Sequence, residues 1–244
     1  MFCGASMISH DILITAGHCT QIFCAQKPCC SDHRFGVALV GANSLADRDS
    51  FELTKMLDIK ANGAFQRLDW DSFDVALIKL DKSFRVNLPC LPDYSSKIYN
   101  EIKNSECYTA GWGLKGIEEN NENNTQNRIL RELKLKMIPS RLCKGPKVSL
   151  CGKDVERKGS TCSGDSGGPL FCRKDRARGT SLYYLYGVLN GGHKACENYG
   201  SDYVSIYTSL ALYHHWIQMT IANWRWQEFK GLMKKATTSN KEFD

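Results

Sequence analysis

Gly164-Asp165-Ser166-Gly167-Gly168-Pro169 places one hydroxyl among glycines. Glycine lets a backbone turn tightly and approach a ligand closely, and successive free N–H groups in such a turn can face an anion. A serine is a weak nucleophile until a neighbouring base takes its proton. The stretch therefore demands a histidine to act as base and a carboxylate to orient it. Taken alone it is also compatible with an ordinary glycine-rich turn.

Two other contexts meet that demand. In Thr15-Ala16-Gly17-His18-Cys19 a histidine follows an apolar run and is pinned by an adjacent cysteine. In Asp74-Val75-Ala76-Leu77-Ile78-Lys79-Leu80 a carboxylate stands at the mouth of a mostly apolar strand. Singly, each has a plain structural explanation: a satisfied histidine, a strand-end turn residue, a loop hydroxyl. Together, in the order His, Asp, Ser, they fit one design.

The surrounding chain is rich in strands. Residues 7–16 read as a hairpin about His10-Asp11. Residues 35–40, 51–59, 75–80, 107–112, 182–189 and 203–208 read as further strands, and 129–137 alternates apolar and charged residues as a half-buried strand does. Residues 87–96, with Pro89 and Pro92, read as an extended connector. Residues 116–127 are acidic and Asn-rich, which predicts a mobile exposed loop carrying the glycosylation sequon Asn123-Asn124-Thr125. Only residues 209–222 look helical, with Leu210, Tyr213, Trp216 or Ile217, and Ile221 on one side. Beyond them Trp224, Trp226 and Phe229 stand among Arg225, Lys230, Lys234 and Lys235. That tail is expected to be a disordered extension, the alternative being an amphipathic element on an anionic surface. Many short strands with one terminal helix predict an all-β sandwich or barrel.

Composition narrows the class. The chain has 244 residues, 42% of them apolar, enough for a sizeable core. Its 12 cysteines are scattered rather than set in CxxC pairs, which predicts a disulfide framework in a secreted protein. Cys29-Cys30 with His33 lacks a second ligand pair at zinc spacing, so no metal is expected. The net charge of +6 is modest and forms no stripe interleaved with aromatics, which argues against nucleic acid. No apolar run reaches transmembrane length, and membrane contact is not expected. No signal peptide precedes Met1-Phe2-Cys3-Gly4; the expectation is a removed N-terminal end, or a partial or alternative product.

Cys3-Gly4-Ala5-Ser6, Ala16-Gly17-His18-Cys19, Asp74-Val75-Ala76-Leu77, Gly111-Trp112-Gly113, the serine loop and Ile206-Tyr207-Thr208 together resemble the trypsin/chymotrypsin-like serine protease family, over about residues 2–217. The resemblance implies an all-β fold of two six-stranded antiparallel β-barrels with a C-terminal helix and the active site between the barrels. Here the first barrel is incomplete at its start. It divides the chain into a peptidase domain at 1–222 (first barrel 1–86, connector 87–106, second barrel 107–208, helix 209–222) and an extension at 223–244. It implies a serine endopeptidase working through an acyl-enzyme without a cofactor. In that scheme Ser166 is the nucleophile, His18 its base and later acid, Asp74 the group that fixes the imidazole tautomer, and the N–H groups of Gly164 and Ser166 the oxyanion hole. Disulfides are expected at Cys3–Cys19, Cys107–Cys172, Cys143–Cys151 and Cys162–Cys196. Cys90 resembles the cysteine that tethers a propeptide or light chain in many relatives. Cys24, Cys29 and Cys30 leave room for one further pair and an odd thiol.

The resemblance also places the primary pocket. Ser160 forms its base, Asn190, Gly191 and Gly192 a wall, and Ser205 faces into it. Ser160 cannot pair with a basic side chain as an aspartate would, so an apolar P1 residue is expected, medium or small because Ser205 shallows the pocket. Glu197 or Asp202 would restore basic specificity only if their loop folds inward. The Ile-Val-Gly-Gly-like terminus whose amine pairs with the aspartate before the nucleophile is not in this sequence. Asp165 is therefore expected to be an unpaired carboxylate, which is costly when buried, and the chain as written to be poorly active while its parent is a protease. The other function class is a non-catalytic relative acting as a binding or cofactor module, although all three triad positions are intact.

Overall fold

Ile-Leu-Ile-Thr and Ala-Leu-Ile-Lys-Leu, two runs with almost no polar alternation, form the middle of the first sheet. The computed structural model describes residues 3–24, 36–62, 73–114, 129–143, 149–156, 159–176, 179–192 and 203–239. Within it β2 (Ile12–Thr15) and β5 (Ala76–Leu80) pair antiparallel, with Thr15 opposite Ala76 and Ile12 opposite Lys79. A strand covered on both faces is apolar at nearly every position, and every residue of these two is buried. Leu13 and Ile78 face a core shared with Val40, Ile59 and Phe84. Ile12, Ile14 and Leu77 face another core, which also takes Leu185 and Val188 from the second barrel and Ile217 and Trp224 from the terminal helix.

β1 (Ser6–Ser9), β3 (Val37–Val40) and β4 (Glu52–Ala61) complete a sheet of order β1-β2-β5-β4-β3. Among the described strands β1 and β3 are its edges. A groove of about 1040 Å³ is lined from β1 by Met7, from β3 by Val37 and Leu39, and by Cys90. The second half closes. β6 (Cys107–Gly111), β7 (Arg131–Ile138), β8 (Ser149–Asp154), β9 (Pro169–Asp175), β10 (Ser181–Gly192) and β11 (Ser205–Ser209) form a barrel of order β10-β11-β8-β7-β6-β9. Leu135, Met137, Leu150, Leu170, Leu189 and Tyr207 fill it. Among the described residues, one closed six-stranded barrel, one half-barrel and a terminal helix match the expected two-barrel fold.

Several elements differ from the sequence reading. β8 and β9 were not anticipated. β8 carries Gly152, whose lack of a side chain admits Leu135: a β-carbon there would lie 3.2 Å from a Leu135 methyl. β9 begins on the proline of the serine loop and ends in charged residues. A short helix, α1 (Ile98–Ile102), lies within the connector and buries Ile98 and Ile102.

The largest difference is at the end. After a 3-10 turn at Leu210–Tyr213, α2 runs from His214 to Ser239, far past residue 222, so the tail is helical rather than disordered. Two contacts explain it. Trp224 enters the inter-barrel core and donates its indole N–H to Asp58 on β4 at 2.8 Å. Arg225 grips Asp11 with both terminal nitrogens, at 2.6 and 2.7 Å. Beyond these, Trp226, Phe229, Leu232 and Met233 are exposed. No helix among the described residues is long and apolar enough to cross a membrane.

Three of the expected disulfides are present: Cys3–Cys19, Cys107–Cys172 and Cys143–Cys151. Cys162 is also disulfide-bonded; its expected partner Cys196 lies outside the described residues, as do Cys29, Cys30, Asn123, Glu197 and Asp202. Among the described residues Cys90 is the free cysteine.

Asp11 also accepts from Lys79 Nζ at 2.6 Å. Burial pushes its carboxyl up, but hydrogen bonds from Arg225 and Lys79 and their charges outweigh this and bring it from the ordinary 3.8 down to about 2. A carboxyl depressed on folding stabilises the native state above its unfolded pKa, and that contribution is lost as pH falls through the folded one. The depression corresponds to about 2 kcal/mol. In urea titrations, the stability difference between wild type and Asp11→Asn is expected to be constant above pH 5 and to shrink by about 2 kcal/mol on going towards pH 2. A difference that stays flat across that window rules out the assigned role of the ion cluster.

Candidate active site

β2 delivers His18 and β5 is preceded by Asp74. Their pairing, Thr15 opposite Ala76, brings the two residues together at one end of the sheet. Asp74 is 1% exposed and holds His18 twice: Oδ1 accepts the backbone N–H at 2.7 Å and Oδ2 contacts Nδ1 at 2.7 Å. With the Nδ1 proton directed at a carboxylate, Nε2 carries the free lone pair. The Cys19 sulfur lies 3.7 Å from Nε2. Cys3, His18 and Cys19 form a cluster of potential metal ligands, but both sulfurs are spent in the Cys3–Cys19 disulfide, so no thiolate is available.

Ser166 is tied to this pair through Gly4. The Gly4 N–H donates to Ser166 O at 2.7 Å, and the Thr15 hydroxyl donates to Gly4 O at 2.8 Å. The disulfide from Cys3 to Cys19 binds the residue before Gly4 to the residue after His18. The packing has no spare room. A β-carbon on Gly4 would lie 2.9 Å from the backbone of Gly168, and one on Gly167 would run into Gly4 O and the Thr15 hydroxyl. Gly167 also has φ +81°, where an L side chain is strained. Ser166 Oγ makes no hydrogen bond to His18 Nε2 among the described residues, a contact that in free enzymes often tightens only when substrate binds.

Within the serine loop most N–H groups are occupied. Asp165 N donates to Cys162 O, Gly167 N to Leu189 O and Gly168 N to Asp165 O, at 2.8 to 3.0 Å. The N–H groups of Gly164 and Ser166 donate to nothing among the described residues. Gly164 takes φ +97°, open to glycine alone without strain.

Asp165 lies beneath the loop. Its Oδ1 accepts from Gly113 N at 2.7 Å and its Oδ2 from Cys162 N at 2.9 Å, and no described cation pairs with it. A β-carbon on either Gly111 or Gly113 would collide with this carboxylate, which gives Gly111-Trp112-Gly113 its physical purpose. Burial pushes the Asp165 carboxyl above the usual range, and the two N–H bonds offset this only in part. A carboxyl raised on folding favours the native state below its unfolded pKa, and that support is lost as pH rises through the folded one. Ionised Asp165 therefore works against the fold.

The trypsin family model matches residues 1–217. The chain belongs to the trypsin family. It is 32% identical over 234 residues to ovochymase of Halocynthia roretzi, across 90% of this chain and 13% of ovochymase. It is 25% identical over 229 residues to spermosin of the same organism, across 88% of this chain and 53% of spermosin. The chain thus spans about an eighth of one of these curated relatives and about half of the other.

In this trypsin-family chain several of the expected pocket residues lie close together. Ser160 is half-buried beside Thr161, and Asn190, Gly191 and Gly192 end β10. Gly192 stands opposite Ser205 across the β10–β11 pair. Ser205, 2% exposed, has its hydroxyl 2.9 Å from Thr161 Oγ1. Sequence reasoning missed Thr161, Thr15 and Tyr203. Thr161 and Thr15 carry no motif of their own. Tyr203 could have been found from strand periodicity, since it stands two residues before Ser205 and shares its face.

Gly167→Ala is expected to lower unfolding stability by about 1–3 kcal/mol, through both the positive φ and the collision with Gly4 and Thr15. Gly179→Ala is the control, since Gly179 also has positive φ but open space around it. A larger loss at 167 than at 179, by denaturant titration, measures the inter-barrel contact itself.

Proposed function

We propose that this trypsin-family chain is a secreted serine endopeptidase that cleaves after apolar P1 residues of small or medium size through an acyl-enzyme. The observation that carries the reading is the match between hydrogen-bond supply and chemical need. Among the described residues the serine loop leaves unspent the two N–H groups, Gly164 and Ser166, that would receive a developing oxyanion, and His18 is locked by Asp74 in the tautomer a base requires. Ser166 then attacks the scissile carbonyl, His18 takes its proton and returns it to the leaving amine, and Asp74 stabilises the imidazolium. The disulfides and the family support secretion. The free Cys90, at the groove between the edges of the open sheet, supports tethering of a propeptide or light chain there.

Asp165 supports a further part of the reading: this form is a poor catalyst. Among the described residues its half-buried carboxyl rests on neutral donors alone, with no ion pair to hold the loop above it when Asp165 is ionised. The expected result is slow labelling of Ser166 by a fluorophosphonate and slow hydrolysis of an alanine-P1 peptide, both abolished in Ser166→Ala, with a loss of about 10⁴-fold or more in any turnover. Labelling as fast as that of a fully active trypsin-family protease would overturn the poor-catalyst reading. No labelling and no turnover, even with an extended N-terminus, would favour a non-catalytic binding module.

A further inference from the structure

The trypsin-family resemblance places a recess beside Ser166. It is bounded by Ser160-Thr161 leading into the serine loop, by Gly191-Gly192 at the end of β10, and by Ser205 at the start of β11. Alternate residues of an extended segment point to one side. Tyr203 and Ser205 therefore face the recess together, while Val204 between them turns into the small core of Cys143 and Cys151. The Tyr203 hydroxyl lies 3.3 Å from the same Thr161 oxygen that meets Ser205. Its ring lies against Gly192: a β-carbon there would collide with the hydroxyl and sit 3.1 Å from Cε1. The hydroxyl end of the side chain thus lies between Gly192 and Thr161 and meets both.

The geometry points to Tyr203 as a specificity-determining residue, an aromatic plug that leaves room in the primary pocket only for the smallest P1 side chains, those of glycine, alanine and serine. The inference rests on the proposed protease reading and narrows it. A buried aromatic side chain covers about 150–250 Å². A leucine or phenylalanine at P1 would have to expel the ring and break its contact with Thr161, gaining little more than it displaces. A methyl group needs no such displacement. The glycine at 192 acquires a purpose as well: any side chain there would expel the plug.

Three proteins test this: wild type, Tyr203→Ala, which empties the recess, and Tyr203→Phe, which keeps the ring. Peptides differing only at P1 are compared by kcat/KM. Wild type and Tyr203→Phe are expected to prefer alanine over phenylalanine, and Tyr203→Ala to raise the phenylalanine-to-alanine ratio by about 100-fold. Wild type that cleaves after phenylalanine as well as after alanine overturns the proposal, even if Tyr203→Ala does not fold. An unchanged ratio in a folded Tyr203→Ala does the same. Indole binding, followed by NMR, separates this from failure of the protease reading, because it needs no turnover. Saturable binding to Tyr203→Ala but not to wild type supports the plug even in a protein that a fluorophosphonate does not label. Equal binding to both, or binding to neither, overturns it.

Discussion

Gly4 is the contact on which the site depends. Its N–H holds the carbonyl of Ser166 and its carbonyl takes the hydroxyl of Thr15, three residues before His18. One residue thus joins the two halves of the molecule at the point where His18 and Ser166 approach each other. The Cys3–Cys19 disulfide fixes the residue before Gly4 to the residue after His18. The glycines at 4 and 167 follow from this closeness: each is crowded by the backbone of the other half, and a side chain would force the halves apart. A cleft between two barrels is easily formed, but holding two side chains across it to a fraction of an ångström takes contacts that leave no slack.

Two aspartates, one buried and one half-buried, show how differently this fold treats charge. Asp11 is surrounded by Arg225 and Lys79, and attraction outweighs the cost of burial. Asp165 sits on two backbone N–H groups, and the cost of burial dominates. The first is a fastening that strengthens with ionisation. The second is a poised group whose charge is unbalanced among the described residues, directly beneath the nucleophile. Asp74 is a third arrangement, with both oxygens turned to a single histidine, so that its charge serves orientation.

The parts of the molecule that the sequence reveals are those built from local chemistry. His18, Asp74 and Ser166 each sit in a run of residue types that only a reactive site needs together, and the apolar runs at β2 and β5 announce strands buried on both faces. What stayed hidden depends on partners distant in sequence. β8 looks weak because Gly152 interrupts it, yet that glycine is where Leu135 packs. The helix beyond residue 222 has no clean apolar stripe, since its hold comes from one tryptophan and one arginine reaching strands about 160 to 210 residues away. Tyr203 looks like an ordinary strand residue until the fold lays its side chain against Gly192.

The grip of α2 on the first sheet has a consequence for how the chain comes together. The ion cluster joins residue 11 to residue 225, so the turn between β1 and β2 finds this partner only 214 residues further along the sequence. The second barrel closes on itself, whereas among the described strands the first sheet keeps two open edges and one face that takes Ile217 and Trp224. Such long-range pairing is slow, and exposed edges and apolar faces invite association in the interval. Completion of the first sheet is therefore tied to residues far along the sequence, on a helix that also packs on the second barrel.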